Sequence, residues 1–189
     1  MTQLTRGQAH AALRSGTRSL HERLERGFDP ALATSARGYA RLLLVNSPFA
    51  AIEPALERAG IDRILPDWSA RRRRDALAAD LHELGITPPD IETIDIASDA
   101  GTLLGWSYVL EGSRLGARMI LRARDPGQLA HASRFLSHQA DGDLWRSYRM
   151  ALSGIDDDPA AIVKACAGAN AAFQCFLDAS RTPEAAGAL

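Results

Sequence analysis

The chain has 189 residues, 46% hydrophobic and 24% charged, with a formal net charge of −1. That is the balance of an ordinary globular protein long enough to bury one core, and near-neutrality argues against a dedicated nucleic-acid binder, which would be clearly basic. No apolar run approaches the roughly 20 residues that span a bilayer, and the opening Met1-Thr-Gln-Leu-Thr-Arg-Gly7 lacks the apolar stretch of a signal peptide, so the sequence reads as soluble and cytoplasmic, with no membrane partner.

Residues 4–26 predict a first helix, with Leu13, Leu20 and Leu24 at helical spacing and Gly27 placed to end it. A second should begin at Thr34 or Ser35, both good N-caps, and run to Gly60, kinked or broken near Pro48 and Pro54. A third starts at Asp67 or Ser69 and ends at Gly85; residues 86–90, rich in proline, form a connector. A glycine-spotted helix covers about 98–124, followed by a turn at Asp125-Pro-Gly127 and helices over about 128–139 and 143–152. The last begins after the acids at 156–158 and Pro159, which suit a helix start, and runs to about 181. Residues 183–189 read as a frayed tail. With no strand pattern, repeat or dividing linker, residues 1–189 are expected to form one all-α domain, a bundle of about seven to eight helices.

Two unpaired cysteines fit a reducing compartment. Cys166 and Cys175 are nine residues apart in the predicted last helix, roughly 13 Å along its axis, too far to bridge. Buried small hydrophobes are their expected role. Arg71 to Arg74 make the densest charge run. Four successive helical residues point all round the axis, so the run is expected to be solvated, with one snorkelling stem; the alternative is a docking patch for an acidic partner. Trp106, Tyr108 and Trp145 read as packing residues, Tyr108 being also within reach of a pocket.

The most informative segment is 101–120. Gly101, Gly105, Gly112 and Gly116 interrupt it, and each costs roughly 0.5–1 kcal/mol relative to alanine in a helix. Bare backbone of this kind is kept for close approach, either to another helix or to a flat ligand. On the first helix His21 and Glu25 share a face four residues apart, a spacing that lets the carboxylate hold one ring nitrogen while the other is free for a ligand. Arg14 lies two turns earlier. The plainer reading is a surface His–Glu pair beside a solvated arginine. No acid precedes a histidine by three residues, and neither HExxH nor CxxC occurs. A single axial histidine therefore suffices only where a macrocycle supplies the other ligands.

Residues 13–25, Leu-Arg-Ser-Gly-Thr-Arg-Ser-Leu-His-Glu-Arg-Leu-Glu, and 104–116, Leu-Gly-Trp-Ser-Tyr-Val-Leu-Glu-Gly-Ser-Arg-Leu-Gly, together resemble the proximal and distal helices of the haem oxygenase family, in particular its bacterial biliverdin-forming, bacteriophytochrome-associated members. Softer likeness covers 144–149 and the last helix through Phe173. The resemblance implies haem as substrate and cofactor, with His21 as axial ligand of the iron and Glu25 its companion. It places Arg14 and Arg149 at the haem propionates, and Tyr108, Ala117 and Phe173 around the pocket. Gly112, Ser113 and Gly116 would form the distal, catalytic face. The implied reaction opens haem to biliverdin, iron and carbon monoxide, using O2 and electrons from a ferredoxin or reductase, with a bacteriophytochrome as a possible recipient of the product. Two positions depart from the family pattern. Ser113 stands where many members have aspartate, and Ala117 replaces the second glycine of the usual pair. Two alternatives stay open: a haem-binding or haem-sensing protein without turnover, and a helical domain of the same architecture that binds no haem.

Overall fold

The computed structural model describes residues 7–26, 35–123, 133–138 and 143–182. Every regular element among them is helical: α1 (Gln8–Arg26), α2 (Ala36–Val45), α3 (Phe49–Ala59), a 3₁₀ turn (Ile61–Arg63), α4 (Trp68–Arg71), α5 (Arg74–Glu83), α6 (Ala100–Ala123), α7 (Arg134–Ser137), α8 (Leu144–Ser153) and α9 (Pro159–Ala179). Gly27, the 125–127 turn and the 183–189 tail lie outside the described residues.

The helix ends follow local chemistry. Ser35 caps α2 by accepting from the Gly38 amide, and Asp158 caps α9 by accepting from Ala161, with Pro159 next to it. Gly60 closes α3 with φ +86°, a left-handed turn that glycine adopts without strain. The start of α1 is held from far away: the Gly7 and Ala9 amides donate to Asp156 at 2.7 and 2.8 Å.

Three expectations are corrected. The predicted second helix breaks at Asn46–Pro48, as Pro48 suggests, yet α3 runs on through Pro54. The predicted third helix is interrupted, because Arg72 takes an extended conformation (ψ 135°) between α4 and α5. Finally, α9 is long and apolar enough to cross a membrane by length and composition, although the sequence reading found no such run. Its packing accounts for part of that character: one side of α9 lies against α1 and α6, burying Ala165, Ala169, Ala172, Phe173, Phe176 and Leu177.

Where these helices meet, no room is left for side chains. A β-carbon at Gly101 would lie 3.0 Å from the carbonyl carbon of Ala161, and one at Gly105 2.8 Å from that of Ala165. Gly168 of α9 sits equally close to the Thr102 backbone and Trp106. Around this seam the core gathers Leu13, Leu43, Phe49, Ile52, Leu103 and Tyr148; burying each such side chain contributes roughly 1.5–3 kcal/mol.

Pair positions along α9 also give direction. Gly16 of α1 faces Cys166 and His21 faces Phe173, while Gly101 and Gly105 of α6 face Ala161 and Ala165. Position rises with position in both cases, so α1, α6 and α9 run parallel.

Candidate functional site

One stripe of α1 and one of α6 build the site. His10, Arg14, Thr17 and His21 fall within about 60° of each other around α1 at 3.6 residues per turn. On α6, Gly101, Gly105, Tyr108, Gly112 and Gly116 fall within about 80°. The two stripes meet at Tyr108, whose phenol faces Thr17 and Arg14. Burial raises the Tyr108 pKa, with the Thr17 hydroxyl and the Arg14 charge pulling the other way. One turn further along each parallel helix stand His21 and Gly112.

From that point the helices part. Among the described residues, a β-carbon at Gly112 or Gly116 would meet nothing within 4 Å. The face of α6 that is closed by the α9 backbone at Gly101 and Gly105 is therefore open at Gly112 and Gly116. On α1, one turn past Thr17, stands His21, 57% exposed at its side chain and set edge-on to Phe173 at 5.9 Å between ring centres. His21 Nδ1 lies 3.3 Å from Glu25 Oε2, which leaves Nε2 as the outward nitrogen. Phe173 itself is buried. A flat, apolar ligand with one metal-binding centre fits a wall of bare backbone opposite an imidazole. Among the described residues no group of three His, Cys, Asp or Glu side chains could hold an ion by itself.

At the near edge a cationic and aromatic rim forms. His10 stacks edge-on against Tyr108 (6.3 Å) and Trp145 (5.9 Å), and Trp145 lies flat on Tyr148 at 5.6 Å. Arg14 of α1 and Arg149 of α8 are both exposed, and both act on His10, whose pKa is lowered first by burial and then by these two charges. Two guanidiniums that repel a shared proton from one imidazole are set up to receive anions. His10 and Thr17 were missed in the sequence. The signal was present in the spacing 10, 14, 17, 21, but a lone histidine eleven residues from the obvious one carries little weight without knowing what lies across from it.

Behind the glycine stripe, α6 is anchored by buried charge. Ser113 donates to the Leu110 carbonyl at 2.7 Å and accepts from Arg73. Arg73 also donates to Leu110 O at 2.9 Å, and its guanidinium lies 4.5 and 4.7 Å from the ring centres of Phe49 and Phe135. Full burial lowers the Arg73 pKa to about 9. Glu111 pairs with Arg71 at 2.8 Å and Arg114 at 3.2 Å, and Arg114 donates to the Arg71 carbonyl. Ala117 is part of the core on this same rear side.

The expectation for the arginine run is thus overturned. Arg71 and Arg73 are among the most buried side chains in the protein, at 1% and 2% exposure. The break at Arg72 turns them inward to carboxylates and carbonyls that come from distant segments. Cys166 and Cys175 are free and half-buried at the margin of the core, less enclosed than expected.

Similarity to known proteins agrees with this geometry. The family described as Heme oxygenase matches residues 8–182. A heme oxygenase of Xanthomonas campestris is 42% identical over 114 residues, covering 58% of this chain and 67% of that protein. Heme oxygenase PigA of Pseudomonas aeruginosa is 30% identical over 172 residues, 86% of each chain. Among solved structures, the NO- and CO-bound heme oxygenase of Neisseria meningitidis superposes with a TM-score of 0.73 at 25% identity, over 95% of this chain and 92% of that one.

Proposed function

The chain belongs to the haem oxygenase family and is an enzyme that degrades haem; from that premise we propose that it seats the macrocycle between His21 on α1 and the Gly112–Gly116 face of α6. One observation carries this assignment. Of four glycines on a single helix face, two are pressed on by protein backbone and two meet no described atom, one helical turn past the point where Tyr108 of α6 meets Thr17 of the helix that carries His21.

Bound haem supplies the redox-active iron and is also the carbon skeleton that is opened, with O2 as oxidant and electrons from a donor such as a ferredoxin or a reductase. The protein supplies position and polarity. His21 Nε2 would hold the iron, while Glu25, at 3.3 Å from Nδ1, orients the ring. Phe173 walls the ring on the α9 side. Arg14 and Arg149, with Tyr108, hold the two carboxylates at the rim and so fix how the disc is turned in its plane. The backbone at Gly112 and Gly116 excludes bulk from the opposite face. Ser113 has one lone pair left after serving Arg73, enough to hold a water at the back of that face, and Ala117 packs behind it. The products are biliverdin, ferrous iron and carbon monoxide, as in the bacterial biliverdin-forming members, with a bacteriophytochrome as one recipient. We further read the chain as cytoplasmic: its two free cysteines suit a reducing compartment, and its most apolar helix packs against α1 and α6.

The test is spectroscopic. Purified protein titrated with haem should develop a Soret band at one equivalent. Added reductant and oxygen should then replace it with the red absorbance of biliverdin. A stable Soret band under those conditions would refute turnover, and no band at all would refute the site.

A further inference from the structure

Arg71 touches neither face of the opening, yet its contacts join α6, which forms one of those faces, to α8, which carries Arg149 of the rim. Its side chain has no exposed surface. Four of its N–H groups donate, Nε to Asp67 Oδ1 at 2.7 Å, Nη2 to Asp67 Oδ2 at 2.7 Å and to Ser147 Oγ at 2.6 Å, and Nη1 to the Leu144 carbonyl at 3.0 Å, while Nη1 also forms an ion pair with Glu111 Oε2 at 2.8 Å. The bidentate pair with Asp67 fixes the plane of the guanidinium, because a planar fork meets a carboxylate in one orientation. Its remaining arms then point in set directions. One holds Glu111, the residue before Gly112 on α6. The others hold Leu144 and Ser147, which bracket Trp145 and precede Arg149 on α8.

We propose that Arg71 is a positioning residue that locks the rim helix carrying Arg149 to the helix carrying Gly112, and thereby sets which edge of the bound macrocycle is opened. The proposal rests on the haem site assigned above. The logic is geometric. In-plane rotation of the disc is fixed by the rim, whereas the reacting edge is chosen by the crowding of α6 over it. Regiochemistry therefore depends on the offset between α8 and α6, and Arg71 is the group whose rigid fork spans both. Lysine keeps the charge but offers three donors from one rotating nitrogen, so it cannot hold that offset.

Arg71→Lys and Ser147→Ala test this in the full chain. The second variant removes one of the two arms to α8, leaves the Leu144 carbonyl arm and keeps the buried charge paired, so it carries the test if Arg71→Lys fails to fold by circular dichroism. Two readouts are used: the pattern of haem methyl resonances in the cyanide complex, which reports seating without turnover, and the ratio of biliverdin regioisomers. Both variants should still show a Soret band lost with His21→Ala. The methyl pattern should split into two seatings, and the regioisomer ratio should shift by about tenfold, equivalent to ~1.4 kcal/mol between the two orientations. A single wild-type seating and an unchanged ratio in a folded, haem-loaded variant would overturn the role. Absence of a Soret band in the wild-type protein would instead bring down the haem site itself, and this role with it.

Discussion

His21 Nδ1 and Glu25 Oε2 stand 3.3 Å apart, one turn along the same helix, with the imidazole edge-on to Phe173. The carboxylate therefore fixes which nitrogen faces the opening. Replacing Glu25 by Gln keeps a hydrogen-bonding partner but removes the anionic charge beside Nδ1. The expected outcome is a haem complex with an intact Soret band, a weaker iron–histidine stretch in the resonance Raman spectrum, and turnover reduced by about tenfold. An unchanged stretch would show that the pair is only a surface contact.

Gly105 and Gly112 give opposite predictions for the same substitution. Alanine at Gly105 drives a methyl into the Ala165 backbone, where neither helix has room to yield, and should cost about 1–3 kcal/mol or more in chemical denaturation. Alanine at Gly112 meets no atom of the described residues and should stabilise the helix by roughly 0.5–1 kcal/mol. Its price appears only with ligand, as haem affinity weakened by roughly tenfold, or ~1.4 kcal/mol. Equal loss of stability at both positions would contradict an open distal face.

How much of this was legible in the sequence is shown by the same glycines. Gly101/Gly105 and Gly112/Gly116 have identical spacing, and only their likeness to a known family divided them into packing and ligand pairs. The deciding fact is where the α9 backbone runs, which no local pattern contains. Helices with strong punctuation were legible: Ser35, Gly60 and the Asp158-Pro159 start all act as their chemistry suggests. The run Arg71–Arg74 was not. Four charges in a row favour a solvated face, and their burial depends, beyond the nearby Asp67, on Glu111, Glu53 and Ser147 converging from separate elements. A partner that is remote in sequence leaves no mark beside the residue it neutralises.

His10 offers a prediction in pH. Its pKa lies below 6.5 in the folded protein, first through burial and then through Arg149 and Arg14. The unfolded chain, near 6.5, thus binds the proton more readily. This residue's contribution to stability should rise as pH climbs from the folded value through 6.5, and level off above it. Docking two carboxylates against Arg14 and Arg149 weakens their repulsion, so His10 should titrate at a higher pH in the complex. NMR of the ring protons, with gallium protoporphyrin as a diamagnetic stand-in, reads both values. An identical titration with and without the porphyrin would mean that the carboxylates do not reach this rim.

Soret titration of the His21→Ala variant, with and without added imidazole, bears most directly on the site. If Nε2 of His21 is the axial ligand, the variant loses the histidine-ligated spectrum and free imidazole, entering beside Phe173, restores it. A variant whose spectrum and stoichiometry match the wild-type protein without imidazole would contradict the assignment of the haem to this opening.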